Sequence, residues 1–387
     1  MYSRISNLSK NHSFFLFGAR ATGKSTFLND HFQQTAGVLS IDLLDPIIER
    51  ELSNNPERLI EMINGYGPSL TWVFIDEVQK VPKILDVIHK IIFERKIHFA
   101  LTGSSARKLK RGQANLLAGR AFNFKLYPMT FVELQNDFKL AEILTWGSLP
   151  KIFDFKNDLD KTRYLATYVQ VYLKEEILVE QIVRKIEPFR AFLEVAAQCN
   201  SEPLNYSKIA RESRIETSSV ARYFEILADT WIGFFLEPYS KSVRKRQSES
   251  PKFYFFDIGV TKALTGRLGK ISEEQGYDYG KSFEHLVILE IHRLNDYYEK
   301  MLRFSFLRTG AGVEVDLVVE KGRDVIALIE IKSSKNIISD DLKALRNLRT
   351  DFPRAKCYIF CLEKAARDVD EINIIPWQDG IKKVLSV

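Results

Sequence analysis

The octapeptide Gly18-Ala19-Arg20-Ala21-Thr22-Gly23-Lys24-Ser25 constrains this chain more than any other stretch. It meets every fixed position of G-x-x-x-x-G-K-[ST] and follows the strand-like apolar run Ser13 to Phe17. Strand, glycine-rich loop and helix in that order form a unit built around an anion. The glycines let backbone N–H groups face phosphate, and the helix beginning at Thr26 points its positive end at the same charge. Gly18 through Thr26 are therefore the expected nucleotide contacts, with Lys24 reaching the β and γ phosphates of ATP and the Ser25 hydroxyl completing a Mg²⁺ shell.

Such a loop needs an acidic strand, and "TWVFIDEVQKV" supplies one, the apolar run Trp72 to Ile75 ending in Asp76-Glu77. Asp76 is expected to hold Mg²⁺ through water and Glu77 to polarise the attacking water. A third apolar run, Ile97 to Leu101, ends in Thr102-Gly103-Ser104-Ser105, where Thr102 or Ser104 would sense the γ-phosphate. Arg120 precedes the strand-like Phe122 to Leu126, and an arginine there could reach the γ-phosphate of a neighbouring copy.

Gly18 to Ser25, Val73 to Glu77, "LTGSSARKL", "LAGRAFNFKLYPMTFVEL" and "WGSLP" at 146 to 150 together resemble the bacterial and archaeal AAA-type ATPases that carry a C-terminal domain of formerly unknown function. The resemblance runs across essentially the whole chain. It implies that Arg120 is either an arginine finger, which would need a homo-oligomer, or an anchor for the loop after its strand.

After Pro128 the pattern turns helical, and Tyr168, Val171, Tyr172 and Leu178 read as one buried stripe of a helical lid. From about Glu187 come a helix, a second helix over Tyr206 to Glu212, and a third opened by Thr217 as N-cap. Two strands, Ile232 to Tyr239 and Lys252 to Phe256, flank "SKSVRKRQSESP" with its basic Lys241, Arg244, Lys245 and Arg246. This is the layout of a winged helix. Ser218, Ser219 and Arg222 would face a major groove, while Arg244, Lys245 and Arg246 hold a phosphate backbone of DNA. The same layout also serves protein contact alone.

Near the C-terminus, Glu284 lies on the helical stretch "YGKSFEHLVILEIHRL", Asp316 in "GVEVDLVVE", and Glu330-Ile331-Lys332 in "VIALIEIKSS". Residues two apart in a strand share a face, so Glu330 and Lys332 point the same way and Asp316 on a neighbouring strand can join them. This is the pattern of a restriction-endonuclease-like fold. Asp316 and Glu330, with the Ile331 carbonyl, would hold Mg²⁺ or Mn²⁺, Glu284 would be a further ligand or orient a metal-bound water, and Lys332 would activate water and stabilise the phosphorane. Such folds also persist as binding modules.

The expected architecture is thus α/β and multidomain. It comprises a P-loop AAA+ ATPase core over 1–130, a helical lid over 131–186, a winged helix over 187–265 and a restriction-endonuclease-like α/β domain over 270–387. The expected function is ATP turnover that gates or drives DNA engagement and phosphodiester cleavage, or else a regulatory ATPase whose last domain only binds. A net charge of +6 permits a polyanionic partner without requiring one. Three cysteines without framework spacing, and first residues lacking an apolar signal core, fit the cytoplasm. No stretch approaches the ~20 consecutive apolar residues of a membrane helix.

Overall fold

The structure is a computed structural model that describes residues 2–105, 117, 119–172, 186–240, 250–269, 276–310 and 312–387. β1 (Ser13–Phe17) is buried along its whole length because parallel strands flank it on both sides. With β2 (Val38–Asp42), β3 (Trp72–Asp76), β4 (His98–Gly103) and β5 (Ala121–Lys125) it forms a parallel sheet in the order β2-β3-β4-β1-β5. The chain leaves β1, skips two positions and returns, so a crevice opens at the carboxyl ends of β1 and β4, where α/β sheets bind ligands. The helices α1 (Lys24–Phe32), α2 (Pro46–Asn54), α3 (Arg58–Tyr66) and α4 (Ile84–Glu94) connect these strands. Gly18 is required where it stands: a Cβ there would lie 2.2 Å from the Leu126 carbonyl oxygen, inside backbone contact distance.

A capping box opens α5 (Phe131–Leu134), in which the Glu133 N–H donates to Thr130 Oγ1 and the Thr130 N–H donates to Glu133 Oε2. α6 (Leu140–Trp146) ends at Gly147, whose φ of 73° and whose closeness to the Asp257 carboxylate, 2.1 Å from a would-be Cβ, both exclude a side chain. α7 (Asp158–Thr167) then runs into a π-helical turn over Tyr168–Tyr172. That turn rotates the expected apolar stripe: Tyr168 is fully buried but Val171 is exposed. The Tyr172 side chain and Leu178 fall outside what the structure describes.

α8 (Ile186–Gln198), α9 (Tyr206–Ser213) and α10 (Thr217–Asp229) precede the antiparallel pair β6 (Gly233–Pro238) and β7 (Lys252–Phe255). Thr217 is the first helical residue rather than the N-cap. Glu216 takes that place in extended conformation, without a capping bond. α11 (Ile258–Leu264) follows, its N-cap Asp257 accepting from the Val260 N–H at 3.0 Å.

The hairpin does not stand alone. β6 pairs in parallel with β8 (Arg303–Arg308), which continues through β9 (Glu314–Lys321), β10 (Asp324–Ile331), β11 (Lys356–Cys361), β12 (Arg367–Val369) and β13 (Ile372–Pro376). The resulting sheet has the order β12-β13-β11-β10-β9-β8-β6-β7. The long α12 (Tyr277–Tyr297) packs on one face with α14 (Trp377–Leu385), while α13 (Lys343–Leu348), preceded by a 3₁₀ turn over Ser339–Leu342, helps cover the other. Met129, Phe131, Leu134, Ile143 and Leu144 share one core with α12 and this sheet. Residues of the expected lid, with Met129 from the end of the expected ATPase core, and residues of the expected C-terminal domain therefore bury each other's apolar surface. No helix of the described residues is long and apolar enough to cross a membrane.

Candidate nucleotide site and carboxylate cluster

The loop between β1 and α1 is closed by its own bonds. Thr22 Oγ1 donates to the Ala19 carbonyl at 2.9 Å, Ala21 and Gly23 take φ of 64° and 90°, and Gly23 caps α1 without any side chain in the way. Lys24 is only 5 % exposed, and its ammonium donates to the carbonyls of Gly18 (2.9 Å) and Ala19 (3.1 Å). Both acceptors are neutral, so the lysine's full charge faces an anion drawn into the loop. The donor set fits a nucleotide phosphate with a divalent ion: a buried lysine, loop N–H groups at a helix start, the half-buried Ser25 and the buried Asp76. Arg20 is half-buried and Thr26 exposed at the edge of this loop.

Thr102, near the end of β4, joins Asp76, the last residue of β3, to Glu77, which follows it. Its hydroxyl donates to Asp76 Oδ1 and accepts the Glu77 N–H at 3.0 Å. Glu77 sits in left-handed conformation, φ 55°, which turns it sharply out of the strand. Ser104 reaches the acids only indirectly, because its Oγ accepts at 3.0 Å from Gln79 Nε2, which also donates to the Glu77 carboxylate. Gln79 is buried, and its Oε1 has no hydrogen-bond partner. The guanidinium of Arg120 contacts His89 Nε2 and lies 5.9 Å over the Phe93 ring, both on α4.

Two contacts from other parts of the chain reach this loop, and a third reaches the last residue of β1 beside it. Tyr168 Oη donates to the Arg20 carbonyl at 3.0 Å, and the Trp231 ring stacks on Phe17 at 6.1 Å. Arg4 donates from Nη1 to the Thr22 carbonyl at 3.0 Å, from Nη2 to the Tyr127 carbonyl at 2.6 Å and to Tyr297 Oη at 2.9 Å, and from Nε to Glu133 Oε1 at 2.8 Å. One guanidinium thus ties the loop to α5 and to the end of α12. Beside it, Asp296 accepts from Lys125 Nζ at 2.8 Å and from Tyr127 Oη at 2.5 Å. Arg293, 1 % exposed, donates to the Phe256 carbonyl at 2.6 Å and to Ser148 Oγ at 3.1 Å.

The four C-terminal residues singled out from the sequence lie in one neighbourhood, but each carboxylate is turned to its own donor. Glu284 Oε1 accepts from Tyr254 Oη at 2.8 Å, Asp316 Oδ2 accepts the Ile331 N–H at 2.7 Å, and Glu330 Oε1 lies 2.7 Å from Lys332 Nζ. Lys252 enters the cluster from β7 and is 1 % exposed. Its Nζ lies 2.6 Å from Glu314 Oε1 and 3.7 Å from Glu284 Oε1. Burial alone would lower this ammonium's pKa, but Glu284, Asp316 and Glu314 outweigh it and raise the pKa above the ordinary lysine value. Burial, then repulsion from Glu330 and Glu284, pushes the Asp316 carboxyl far above the usual range. Burial also raises Glu330 against the pull of Lys332, and its Oε2 has no partner. Among the described residues no three or more His, Cys, Asp or Glu side chains are grouped to hold a metal ion. A divalent ion would need oxygens converging on one point, whereas here Glu284, Asp316 and Glu330 are each held by a separate donor.

On α10, Ser218 and Arg222 are exposed and Ser219 is half-buried. Lys241, Arg244, Lys245 and Arg246 lie outside the described residues.

Comparison with known families agrees with this geometry at the coarse level. Residues 10–135 match an AAA domain. Residues 137–270 and 279–379 match two domains of unknown function, DUF8612 and DUF4143. The first unit is therefore an AAA-type ATPase-like domain, as the loop and its acidic strand led one to expect. An uncharacterized protein of Mycobacterium tuberculosis is 24% identical over 343 residues, covering 86% of this chain and 74% of its own length. One of Methanocaldococcus jannaschii is 21% identical over 361 residues, covering 84% and 78%. The solved Aeropyrum pernix ORC1 protein in complex with DNA shares 12% identity over 67% of this chain and 87% of its own, at a TM-score of 0.26.

Sequence reasoning missed Arg4, Gln79 and Lys252. Arg4 stands in a segment without periodicity. Lys252 opens the apolar run "KFYFF", and a lone charge there reads as the solvated end of a strand.

Proposed function

We propose that this protein hydrolyses ATP at the loop Gly18–Ser25 in a Mg²⁺-dependent reaction, and that its nucleotide state controls how the middle and C-terminal units engage DNA. The observation that carries the reading is the Thr102 hydroxyl joined to both Asp76 and Glu77 at the carboxyl ends of β3 and β4, one strand from the loop. Lys24 draws in the phosphates, and Ser25 and Asp76 are the residues to hold Mg²⁺. The ion supplies charge neutralisation on the phosphates when bound. Glu77, braced by Thr102 and Gln79, orients the attacking water and takes its proton. Thr102 and, through Gln79, Ser104 register the γ-phosphate. Arg120 is the residue to reach the site of a second copy, with its hold on α4 as the rival role.

Contacts at Thr22, Arg20 and the adjoining Phe17 give the site mechanical routes to α12, the lid and the turn that leads from α10 into the hairpin. The succession α8, α9, α10 and hairpin, with Pro203 bridged to Lys252, supports a winged helix. Ser218, Ser219 and Arg222 would be its groove contacts, and Arg244, Lys245 and Arg246 its phosphate contacts. The mixed sheet β8 to β11 under α12 supports a restriction-endonuclease-like fold. The individually paired carboxylates favour the reading in which this unit binds rather than cuts.

Phosphate release and anisotropy of a labelled duplex, each with ATP or ADP, test the proposal. Glu77→Gln should keep nucleotide and lose turnover, Lys24→Ala should lose both, and duplex affinity should differ between ATP and ADP. Equal turnover in Glu77→Gln and the parent would overturn the hydrolytic assignment, and equal duplex affinity in the two nucleotides would overturn the switch.

A further inference from the structure

Carboxylates crowded together and partly withdrawn from water are neutralised by protons, a metal or an internal cation, because unpaired charge there is costly to keep. Glu284, Glu314, Asp316 and Glu330 come from α12, β9 and β10, Glu330 buried and the other three half-buried, and the sequence pattern of Glu284, Asp316 and Glu330 by itself points to a metal. The structure brings in a residue from elsewhere. Lys252 begins β7, a strand of the hairpin, and its side chain runs to the carboxylates with its ammonium against Glu314 and near Glu284. The lysine stem passes the Phe306 ring, with Nζ 5.1 Å from its centroid. Tyr254, two residues on and so on the same face of β7, donates to Glu284. Lys332 holds Glu330 and the Ile331 N–H holds Asp316.

We infer that Lys252 is the built-in counter-ion of this cluster, and that the C-terminal unit therefore takes no divalent metal there. The ammonium does locally what a metal does in a nuclease, neutralising acidic side chains, but it activates no water. It also joins the hairpin to the C-terminal unit through charge, in addition to the pairing of β6 with β8. The inference rests on the reading of this unit as one that binds without cutting. It fails separately from the ATPase reading, since the measurement needs no nucleotide and no turnover.

Electron paramagnetic resonance of free Mn²⁺, titrated into the nucleotide-free full chain, is the test. The parent protein and the double variant Asp316→Asn, Glu330→Gln should give the same isotherm. Lys252→Met should gain one bound Mn²⁺ per chain, and adding Asp316→Asn should remove it again. A parent protein that binds a Mn²⁺ which the double variant loses would overturn the inference, and the unpartnered Glu330 Oε2 is where such an ion would register. A folded Lys252→Met that gains no ion would overturn it too. The comparison of parent with double variant stands even where Lys252→Met does not fold. Lys252→Arg keeps the charge and should match the parent; a gained site there would equally refute the assignment.

Discussion

Replacing Arg4 by alanine should cost this protein about 3–5 kcal/mol, the range for removing one partner of a buried ion pair. The magnitude follows from what the substitution leaves behind. Arg4 and Glu133 have side chains 7% and 0% exposed, so neither is screened as a surface pair would be. Without the guanidinium, Glu133 keeps the donors of its capping box and the Ile5 N–H at 3.2 Å, but it loses the one ion-pair partner it has among the described residues. The carbonyls of Thr22 and Tyr127 and the Tyr297 hydroxyl each lose a charge-assisted bond as well. Arg4→Lys, which keeps the charge but not the fork of donors, should fall between parent and alanine variant. Urea unfolding followed by circular dichroism gives the difference from the shift in midpoint at constant slope. An Arg4→Ala variant within about 1 kcal/mol of the parent would show that the pair behaves as an exposed one, and the reasoning from burial would be wrong.

Two further outcomes follow from other buried contacts. Thr102→Val removes the hydroxyl that holds Asp76 and the Glu77 N–H, so single-turnover hydrolysis should slow on the order of 10²-fold while binding of a fluorescent ATP analogue is retained; unchanged turnover would remove Thr102 from the machinery. Burial pushes the Glu290 carboxyl up to about 8, against the pull of Arg293, so between the unfolded value near ~4.3 and that point the folded state keeps a proton the unfolded chain releases. Its contribution to stability is therefore lost as pH rises through this window, and Glu290→Gln should gain on the parent from pH ~5 to ~8 in paired urea titrations; a difference that stays flat with pH would contradict the shift.

The strand, loop and helix of the nucleotide site were legible because their cause is local. Gly18 to Ser25 is one contiguous turn whose glycines and lysine have no other economical use, and Asp76-Glu77 end a strand whose apolar run announces itself. Strand alternation likewise brought Glu330 and Lys332 to one face, and the structure joins them. The apolar stripe of the lid was read less well, since a π-helical turn at Tyr168–Tyr172 shifts the period by a residue and leaves Val171 in solvent.

By itself, then, the sequence determined the elements and the local chemistry, because backbone sterics, side-chain period and loop composition act over a few residues. Only the tertiary structure decided which distant groups meet. Arg4 reaches Glu133 and Tyr297 across 129 and 293 residues of chain, β6 pairs with β8, which begins only at Arg303, and Lys252 crosses from the hairpin to the carboxylates. Whether a buried acid finds a lysine or is left to bind a metal depends on which side chains the packing places within a few ångströms of it, and no periodicity along the chain records that distance.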